Sequence, residues 1–452
     1  MKPGYAAIFE QLTRSMEHET NLIDLFLTMV PSGSIAEIGA GHGRLVPFFS
    51  DREVFYIEND EDMVARLAER FPNIVNSIVK RSAWNTKIPT GSVAAAHFSP
   101  NAICEMQPVY FCLSEASRIV SDDGVILFTA TNPLTNMPHA YTKFREVACD
   151  DYVETSHVIT YPTPTHGPNW FETKITLRNM EGETTVIVSQ VLPKPEYWIK
   201  IMSNMGFILE LATENRSLQA ADLSSSKLIS YFFRKKADLE ASPGPVQRVY
   251  DLIAPTYNQF SRNAKERSTN WFKQSLKSES PPKFSRFLDL ACGTGKIGAV
   301  IREYDSAAKV FGLDFSAEMV TIATNTGYFA AVACADLNDG IPLVEDGFFD
   351  YISGISFMEF IADPVKILKD IQRLLAHHGK AWITFELRTE TSPTPGVPNP
   401  KTGLSFYSYT TDDIRGMIAQ AGLKLNDLTT GFGYEAQLDS RHVEYIYCEV
   451  AK

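Results

Sequence analysis

The strongest constraint on the fold of this chain is one pattern that occurs twice in it. In both copies an apolar strand runs into a glycine-rich loop, a helical stretch follows, and a second strand ends in an acid. The strands, loops and acids are Ser34–Ile38, Gly39–Gly43 and Glu58 in the first copy and Phe287–Leu290, Ala291–Gly295 and Asp314 in the second. Such a repeat predicts an internal duplication of one α/β unit.

The two copies are separated by a segment whose composition differs from that of its surroundings. From Lys235 to Pro245 the chain is charged and then rich in small residues, Pro and Gly, which is typical of a linker. We therefore predict an N-terminal domain over residues 1–236, a linker over 237–247 and a C-terminal domain over 248–452. Two domains agree with a length of 452 residues, since a domain usually has about 100–200.

The charge and the cysteines limit the partners and the compartment. The chain has 42 basic and 54 acidic side chains and a net charge of −12. Because it is acidic and has no basic tract, we expect no nucleic-acid partner and no binding to an anionic membrane. No apolar run reaches the ~18 residues of a membrane helix, and the N-terminus lacks a signal-peptide layout. Six scattered cysteines without a CxxC pair favour buried thiols in the reducing cytoplasm over disulfides or a metal site. The sequence leaves a homo-oligomer open.

The glycine loops predict a nucleotide-type ligand at the carboxyl edge of each sheet. A glycine loop between a strand and a helix lets the backbone approach a ligand, and an acid at the end of the next strand accepts ribose hydroxyls. A dinucleotide site would follow G-x-G-x-x-G, whereas these positions alternate with single residues: Gly39, Gly41 and Gly43, and Ala291, Gly293 and Gly295. An acid, Glu37 or Asp289, opens each loop, where it would meet an ammonium group or order the loop.

Both copies resemble class I S-adenosylmethionine-dependent methyltransferases. In the second copy, segments similar to those of the family follow the family's order over nearly all of residues 245–452. They are Val249–Tyr257, Leu288–Gly295, Gly312–Met319, Ala335–Leu337 and Phe348–Ile352. The resemblance implies an α/β chain of two tandem Rossmann-like methyltransferase domains, each a seven-stranded, mostly parallel sheet flanked by helices, with S-adenosylmethionine as the cofactor.

The resemblance also implies the cofactor-binding residues, because in the family the glycine loop meets the methionine end, the acid meets the ribose and an apolar slot holds adenine. In the second copy these are Asp289, Ala291, Gly293, Gly295, Asp314, Phe315, Met319, Asp336 and Leu337. In the first copy they are Glu37, Gly39, Gly41, Gly43, Glu58, Asn59, Met63, Ser82, Ala83 and Trp84. The first copy has no acid in Arg81–Asn85, which aligns with Asp336, or in Ser92–Ala94, which aligns with Phe348–Asp350. The alternative is that this half keeps the fold but binds the cofactor weakly or not at all.

Acceptor-binding residues are expected after the fourth strand and in the lids. In the second copy Glu359 is our candidate for holding an amine or accepting a proton, with a solvent-facing helix acid as the alternative. Glu386 follows a strand and is a further candidate, the alternative being an acid in a solvated loop. Tyr250 and Tyr257 are seven residues apart on the lead-in helix and so share a face, where they line the pocket or pack in the core.

In the first copy Asn101 and His97 are the candidates for orienting an acceptor, although a lone histidine is more often an ordinary hydrogen-bonded residue. A long insertion at about residues 133–195 carries His157 and Trp170, which we predict to contact the substrate in a lid. It also contains two strand-like runs, Glu172–Arg178 and Thr184–Val191.

These features predict methylation of a small metabolite at nitrogen or oxygen, at two positions if both domains act. Aromatic, weakly charged lids suit a small organic molecule better than a nucleic acid. Two alternatives stay open: only the C-terminal domain is catalytic and the N-terminal one is a scaffold, or the acceptor is a protein bound in an open acidic groove.

Overall fold

The computed structural model groups the chain into two compact units, Met1–Ala241 and Ser242–Lys452. The boundary lies within residues 237–247, which the composition identifies as a linker. The residues that the structure describes are 20–30, 32–99, 102–135, 140–148, 151–160, 170–179, 182–214, 217–236, 244–260, 262–279, 285–342, 345–390, 392–398, 405–435 and 442–452.

The described part of the N-terminal unit contains strands and helices in alternation, followed by a block of strands. Its strands are β1 (Ile35–Ile38), β2 (Val54–Glu58), β3 (Ile78–Lys80), β4 (Val93–Phe98), β5 (Val120–Thr131), β6 (Ala140–Ala148), β7 (Asp151–Thr160), β8 (Trp170–Asn179), β9 (Gly182–Val191), β10 (Phe207–Glu214) and β11 (Leu228–Lys235). Its helices are α1 (Thr20–Met29), α2 (Glu61–Arg70), α3 (Ala102–Glu105), α4 (Val109–Ile119) and α5 (Pro195–Asn204).

The C-terminal unit repeats the same alternation without the block. Its strands are β12 (Arg286–Leu290), β13 (Lys309–Asp314), β14 (Ala331–Cys334), β15 (Phe349–Gly354), β16 (Leu375–Glu386), β17 (Lys424–Glu435) and β18 (His442–Ala451). Its helices are α6 (Pro245–Ile253), α7 (Tyr257–Phe260), α8 (Arg262–Lys277), α9 (Lys296–Tyr304), α10 (Ala317–Asn325), α11 (Pro364–Leu374) and α12 (Thr411–Gln420).

Each unit is built on a seven-stranded sheet, as predicted. The strand orders are β10-β11-β5-β4-β1-β2-β3 and β14-β13-β12-β15-β16-β18-β17, which are the same order read from opposite ends. In the first sheet only β11 runs antiparallel to its neighbours, and in the second only β18 does. In each sheet the first strand of the unit, β1 or β12, is the third strand from one edge and has parallel strands on both sides.

The helices cover the sheets because their apolar residues recur at helical spacing. In α11 the buried positions follow the i, i+3, i+4, i+7 pattern of an amphipathic helix: Pro364, Ile367, Leu368, Ile371 and Leu374. The largest buried rings are Trp198 and Trp382, which are both fully buried. The ring of Phe128 lies 5.0 Å from that of Trp198 and 5.3 Å from that of Tyr231. Full burial of an apolar side chain of this size contributes roughly 1.5–3 kcal/mol to folding.

Two local predictions about helices were wrong. A helical stretch was expected after Gly43, but residues Val46–Phe49 form a short 3-10 helix instead. The connection from Gly43 to β2 has 10 residues (44–53) against 13 (296–308) in the second unit, and Pro47 restricts it further, so a full helix does not fit. The lead-in helix is interrupted by a 3-10 turn at Ala254–Thr256 that contains a proline, so Tyr250 and Tyr257 do not share one continuous α-helix.

The insertion of the N-terminal unit forms a sheet of its own. The strands β6, β7, β8 and β9 pair in sequence order as a four-stranded antiparallel meander. The two strand-like runs of the sequence are β8 and β9, whereas β6 and β7 were not predicted. In this sheet His157 pairs with Tyr141 and Thr173, and Trp170 pairs with Thr160 and Val191.

No helix in the described ranges is both long enough and apolar enough to cross a membrane. Within the same ranges, His, Cys, Asp and Glu side chains form no group of three or more that could hold a metal ion. The described cysteines are free thiols, and Cys334 is exposed rather than buried as we expected. The reason is its place at the end of β14, which is an edge strand of its sheet.

Candidate active site

The glycine loop of the C-terminal unit follows β12 and has left-handed backbone at alternating positions. The φ angles are 51° at Ala291, 52° at Gly293 and 90° at Gly295. An alanine in this conformation is strained by roughly 1–2 kcal/mol, which the loop tolerates because its backbone is fixed on both sides. The amide of Cys292 donates to the carbonyl of Leu313 at 3.0 Å, which holds the loop against the end of β13.

Asp314, which we predict to bind ribose, is anchored by backbone amides. One carboxylate oxygen accepts from the amide of Gly293 at 2.8 Å, and the other accepts from the amide of Ser316 at 3.0 Å. The side chain is 4% exposed. The glycine loop and the start of α10 therefore meet at this carboxylate, which lies at the carboxyl edge of the parallel strands.

The acid before the loop and the lead-in segment complete this edge. Asp289 is 1% exposed and accepts a hydrogen bond from the Ser353 hydroxyl at 2.8 Å. Lead-in residues contact the same region, because Thr294 donates to Asn258 at 2.7 Å and Ser316 donates to Asp251 at 2.5 Å. The segment before β12 thus covers the loop and the N-terminus of α10.

The predicted adenine residues lie around the end of β13 and after β14. Met319 and Leu337 are buried, and Phe315 is half-buried, with its ring 5.6 Å from that of Tyr250. Asp336 is exposed and caps a short 3-10 helix by accepting from the amide of Asn338 at 2.9 Å. An exposed carboxylate beside apolar side chains is a suitable acceptor for an adenine amino group.

The N-terminal unit has the same anchor. Glu58 accepts from the amide of Gly41 at 2.9 Å, from that of Asn59 at 2.8 Å and from that of Asp60 at 3.0 Å. Asp60 caps α2, as Ser316 caps α10. A Cβ added at Gly41 would meet no atom within 4 Å, so the face of the loop in front of this residue is open. The first loop is therefore able to receive a ligand against its backbone.

Glu37 supplies a direct test of whether the cofactor fits here. The side chain is fully buried, one oxygen accepts from the Ser99 hydroxyl at 3.1 Å, and the other has no hydrogen-bond partner among the described residues. Burial raises the pKa of Glu37 to about 8, and the nearby Glu58 adds to this rise. A buried carboxyl with an unused oxygen suits a cationic ligand group such as the α-ammonium of S-adenosylmethionine.

The predicted adenine segment of the N-terminal unit has no carboxylate. Met63 and Ala83 are buried, whereas Ser82 and Trp84 are half-buried. Asn59, the counterpart of Phe315, is exposed. Gly39 and Gly43 complete the loop, and a Cβ at Gly43 would lie 2.4 Å from Leu67. In this unit the methionine and ribose ends of a cofactor would contact a glycine loop and acids that correspond to those of the second unit. Its adenine would contact side chains that differ from those of the second unit.

The acceptor candidates of the C-terminal unit come together around Tyr445. Glu359, in a 3-10 helix after β15, is 3% exposed and accepts from the Tyr445 hydroxyl at 2.9 Å. Glu386 ends β16, is fully buried and pairs through its backbone with Tyr445. Neither acid faces solvent. This excludes the alternatives considered above, namely a solvent-facing helix acid for Glu359 and an acid in a solvated loop for Glu386.

Tyr250 joins this group from the other side. Its ring lies 5.9 Å from that of Tyr257 and 5.9 Å from that of Phe360, the residue after Glu359. Burial and the charges of Glu359 and Asp314 raise the pKa of Tyr250 well above its usual value. The phenol therefore stays protonated, and it lies near both Glu359 and Asp314.

The acceptor candidates of the N-terminal unit are placed differently. His97 is 1% exposed and lies 5.8 Å from the ring of Phe26 and 6.2 Å from that of Phe49. Burial lowers its pKa to about 3, so it stays neutral, which suits a packed core residue and not a proton carrier. Asn101 lies outside the described residues. His157 and Trp170 are placed by the backbone of the four-stranded sheet.

Sequence reasoning missed Tyr445 and Phe360. The signal for Tyr445 is the alternation of large residues in the last strand, where Val443, Tyr445 and Tyr447 share one face. Phe360 lies in an apolar segment, and its sequence pattern does not distinguish a residue of the core from a residue of the acceptor side. The side chains grouped around Tyr445 are distant from one another in the sequence, and only the strand register brings them together.

Comparison with known proteins agrees with this geometry. A family described as "Methyltransferase domain" matches residues 288–383, which run from the glycine loop through β13 and β15 into β16. Residues 288–383, in the C-terminal unit, therefore carry a methyltransferase domain.

Two curated proteins are among those to which this chain is similar. A demethylmenaquinone methyltransferase of Staphylococcus carnosus is 28% identical over 171 residues, which are 37% of this chain and 68% of the relative. A demethylmenaquinone methyltransferase of Thermus thermophilus is 32% identical over 138 residues, which are 29% of this chain and 61% of the relative. The chain thus spans 68% of the length of the first relative and 61% of that of the second.

A solved structure with similarity to this chain is the CcbJ methyltransferase of Streptomyces caelestis. Its TM-score is 0.42 at 14% sequence identity, and the match covers 48% of this chain and 96% of that one.

Proposed function

We propose that this protein transfers methyl groups from S-adenosylmethionine to a small organic molecule, with the C-terminal unit as a catalytic domain. The observation that carries the proposal is the anchored Asp314, which accepts from Gly293 and Ser316 a short distance from an enclosed group of aromatic and acidic side chains. In this proposal the cofactor side, around Asp314, and the acceptor side, around Tyr250 and Glu359, are next to each other.

The residues of this unit would position the reactants. The bound cofactor supplies an activated methyl group on a sulfonium. Asp314 would hold its ribose, the backbone of Gly293 and Gly295 would meet the methionine end, and Phe315 and Leu337 would enclose adenine. Alignment of an acceptor with a reactive group can lower a barrier by roughly 7–11 kcal/mol, so positioning by these residues supplies most of the catalysis that we propose.

A small acceptor is supported by the enclosure of the site. Glu359 and Glu386 are buried and Tyr250 is half-buried, so these groups lie below the surface, where a compact molecule could reach them more readily than a folded protein surface could. The relatives from Staphylococcus carnosus and Thermus thermophilus are named for action on demethylmenaquinone, which is also a small molecule. The net charge of −12 disfavours a nucleic acid.

We extend the proposal to a second transfer in the N-terminal unit. Glu58 accepts from the loop amide of Gly41 as Asp314 accepts from that of Gly293, and Glu37 offers a buried carboxyl to a cation. The acceptor nitrogen or oxygen would differ from that of the second unit because the surrounding side chains differ.

One observation favours a second candidate, in which the N-terminal unit is a scaffold without catalysis. Ser82 and Ala83 occupy the adenine segment where the C-terminal unit has Asp336 and Leu337, and Val46–Phe49 replaces the helix after the loop. Both changes remove contacts that would hold a cofactor.

Calorimetric titration of S-adenosylhomocysteine separates the two candidates. We expect two sites per chain, one lost in Glu58→Ala and the other in Asp314→Ala. Matched controls are Asp62→Ala and Glu318→Ala, which change exposed acids at equivalent places in the first turns of α2 and α10, and both are expected to bind two equivalents. A single site that survives Glu58→Ala would establish the scaffold instead. No site at all would refute the proposal.

A further inference from the structure

The acceptor sides of the two units differ in their acids although the strands around them correspond. In the C-terminal unit β16 ends at Glu386, which pairs with Tyr445 of the antiparallel strand. In the N-terminal unit β5 ends at Thr131, which pairs with Leu228. The same position at the carboxyl edge of the sheet thus carries a buried acid in one unit and a neutral residue in the other.

The segment after the fourth strand differs in the same way. In the C-terminal unit it carries Glu359, buried and hydrogen-bonded to Tyr445. In the N-terminal unit the corresponding segment buries Ile103 and Cys104, and its acid, Glu105, is exposed. Only the C-terminal unit therefore brings two buried acids to the acceptor side, among the residues that the structure describes.

Aromatic rings surround these acids. Tyr250 contacts Phe360 at 5.9 Å with the rings nearly perpendicular, and Phe360 contacts Phe406 at 5.3 Å. Tyr434 lies 5.9 Å from Tyr445, whose hydroxyl reaches Glu359. The face of an aromatic ring attracts a cation, which gains roughly 0.5–2 kcal/mol from each favourable contact.

The phenols in this cluster are not proton acceptors. Burial raises the pKa of Tyr250 and that of Tyr445 well above the usual value, and the nearby Glu359 raises both further. Both hydroxyls therefore stay protonated at physiological pH. The carboxyl groups are the groups in this cluster that can take up a proton.

Building on the function proposed above, we propose that the C-terminal unit methylates the nitrogen of an amine. Glu359 and Glu386 would attract the amine as an ammonium ion, and the rings of Tyr250 and Tyr445 would hold its charged nitrogen. The N-terminal unit, which has neither acid, would not select a cation on its acceptor side.

The step balances with the groups present. Glu359 takes one proton from the ammonium ion, which leaves a lone pair on nitrogen. This lone pair forms the new N–CH₃ bond while the S–CH₃ bond breaks and its electron pair stays on sulfur, which gives neutral S-adenosylhomocysteine. The positive charge moves from sulfur to nitrogen, where the aromatic rings stabilise it, and the product leaves as a methylated ammonium ion.

A pair of probes with the same shape and different charge tests the inference without turnover. Choline and its neutral carbon isostere, 3,3-dimethylbutan-1-ol, are titrated into protein saturated with S-adenosylhomocysteine, and binding is read from the broadening of their methyl proton resonances. We expect choline to bind at least about tenfold more tightly than the isostere, because desolvated cation–π and charge contacts are available only to the cation.

Variants assign the preference to the cluster. Glu359→Gln is expected to remove most of the preference for choline and to keep S-adenosylhomocysteine binding. Glu390→Gln changes an exposed glutamate beyond β16 and is expected to keep both. If Glu359→Gln does not fold, Tyr250→Leu serves instead, with the same loss of preference expected.

The outcomes separate this inference from the proposed function. Equal affinities for the two probes, with S-adenosylhomocysteine still bound at two sites, would overturn the amine inference alone. A product screen with methyl-labelled cofactor gives a second reading, in which label on amines supports the inference and label only on hydroxyl or carboxyl acceptors overturns it. Failure of S-adenosylhomocysteine to bind at all would instead overturn the proposed function.

Discussion

Replacement of Glu37 by glutamine should change how the stability of the N-terminal unit depends on pH. The carboxyl group is fully buried and its pKa is raised from 4.5 to about 8. Below pH 4.5 the group is protonated in both the folded and the unfolded state, so it causes no loss of stability. As the pH rises toward 8 the unfolded chain ionises while the folded one keeps its proton, and stability falls.

The size of the effect follows from the two pKa values. They differ by about 3.5, and one unit corresponds to about 1.4 kcal/mol, so the full loss is about 5 kcal/mol between pH 4.5 and 8. Glu37→Gln cannot ionise. The stability of the variant relative to wild type should therefore rise by about 1.4 kcal/mol per pH unit over this interval and level off above pH 8.

The assay is urea unfolding of both proteins at pH 5, 6, 7 and 8. Hydrogen-exchange mass spectrometry of peptides from β1 and β4 follows the N-terminal unit separately from the C-terminal one. Glu53→Gln, a change of an exposed acid just before β2, is the control and should run parallel to wild type. Parallel stability curves for wild type and Glu37→Gln would refute the assignment of a buried, protonated carboxyl group.

Three further predictions concern the loops and the core. Ala291→Gly should stabilise the C-terminal unit by about 0.5–1 kcal/mol in urea unfolding, because glycine relieves the left-handed backbone at φ 51° but loses more entropy on folding; an unchanged midpoint would contradict this. Gly41→Ala should lower stability by only about 1 kcal/mol, since the added Cβ meets open space, and yet abolish the S-adenosylhomocysteine site that depends on Glu58; retention of that site in calorimetry would show that no ligand lies against this loop. Trp198→Ala should destabilise the N-terminal unit by about 3–5 kcal/mol through loss of its contact with Phe128, and a loss below 1 kcal/mol in hydrogen exchange would show that the core relaxes around the gap.

The sheets and the cofactor edge could be predicted from the sequence because their signals are local. A glycine loop, the acid before it and the acid that ends the next strand all lie within about one β-α-β unit. The anchors of Glu58 and Asp314 on loop amides follow from this spacing. The predicted roles of these residues in cofactor binding remain predictions.

The acceptor side was less predictable because its contacts are long-range. Glu359 and Tyr445 are 86 residues apart, and no local pattern distinguishes an acid that Tyr445 holds in the core from one that faces solvent. The prediction of a helix after Gly43 was wrong for a different reason. Helical periodicity does not reveal that the connection to β2 is too short for a helix and a turn.

The four-stranded sheet of the N-terminal unit has an evolutionary consequence. Its strands form a sheet separate from the seven-stranded one, and the chain enters it after β5 and leaves it before α5. Such a segment can be lengthened, replaced or lost during evolution without breaking any strand pairing of the seven-stranded sheet. Selection can therefore change this sheet while the segment that we propose to bind the nucleoside stays under separate constraint.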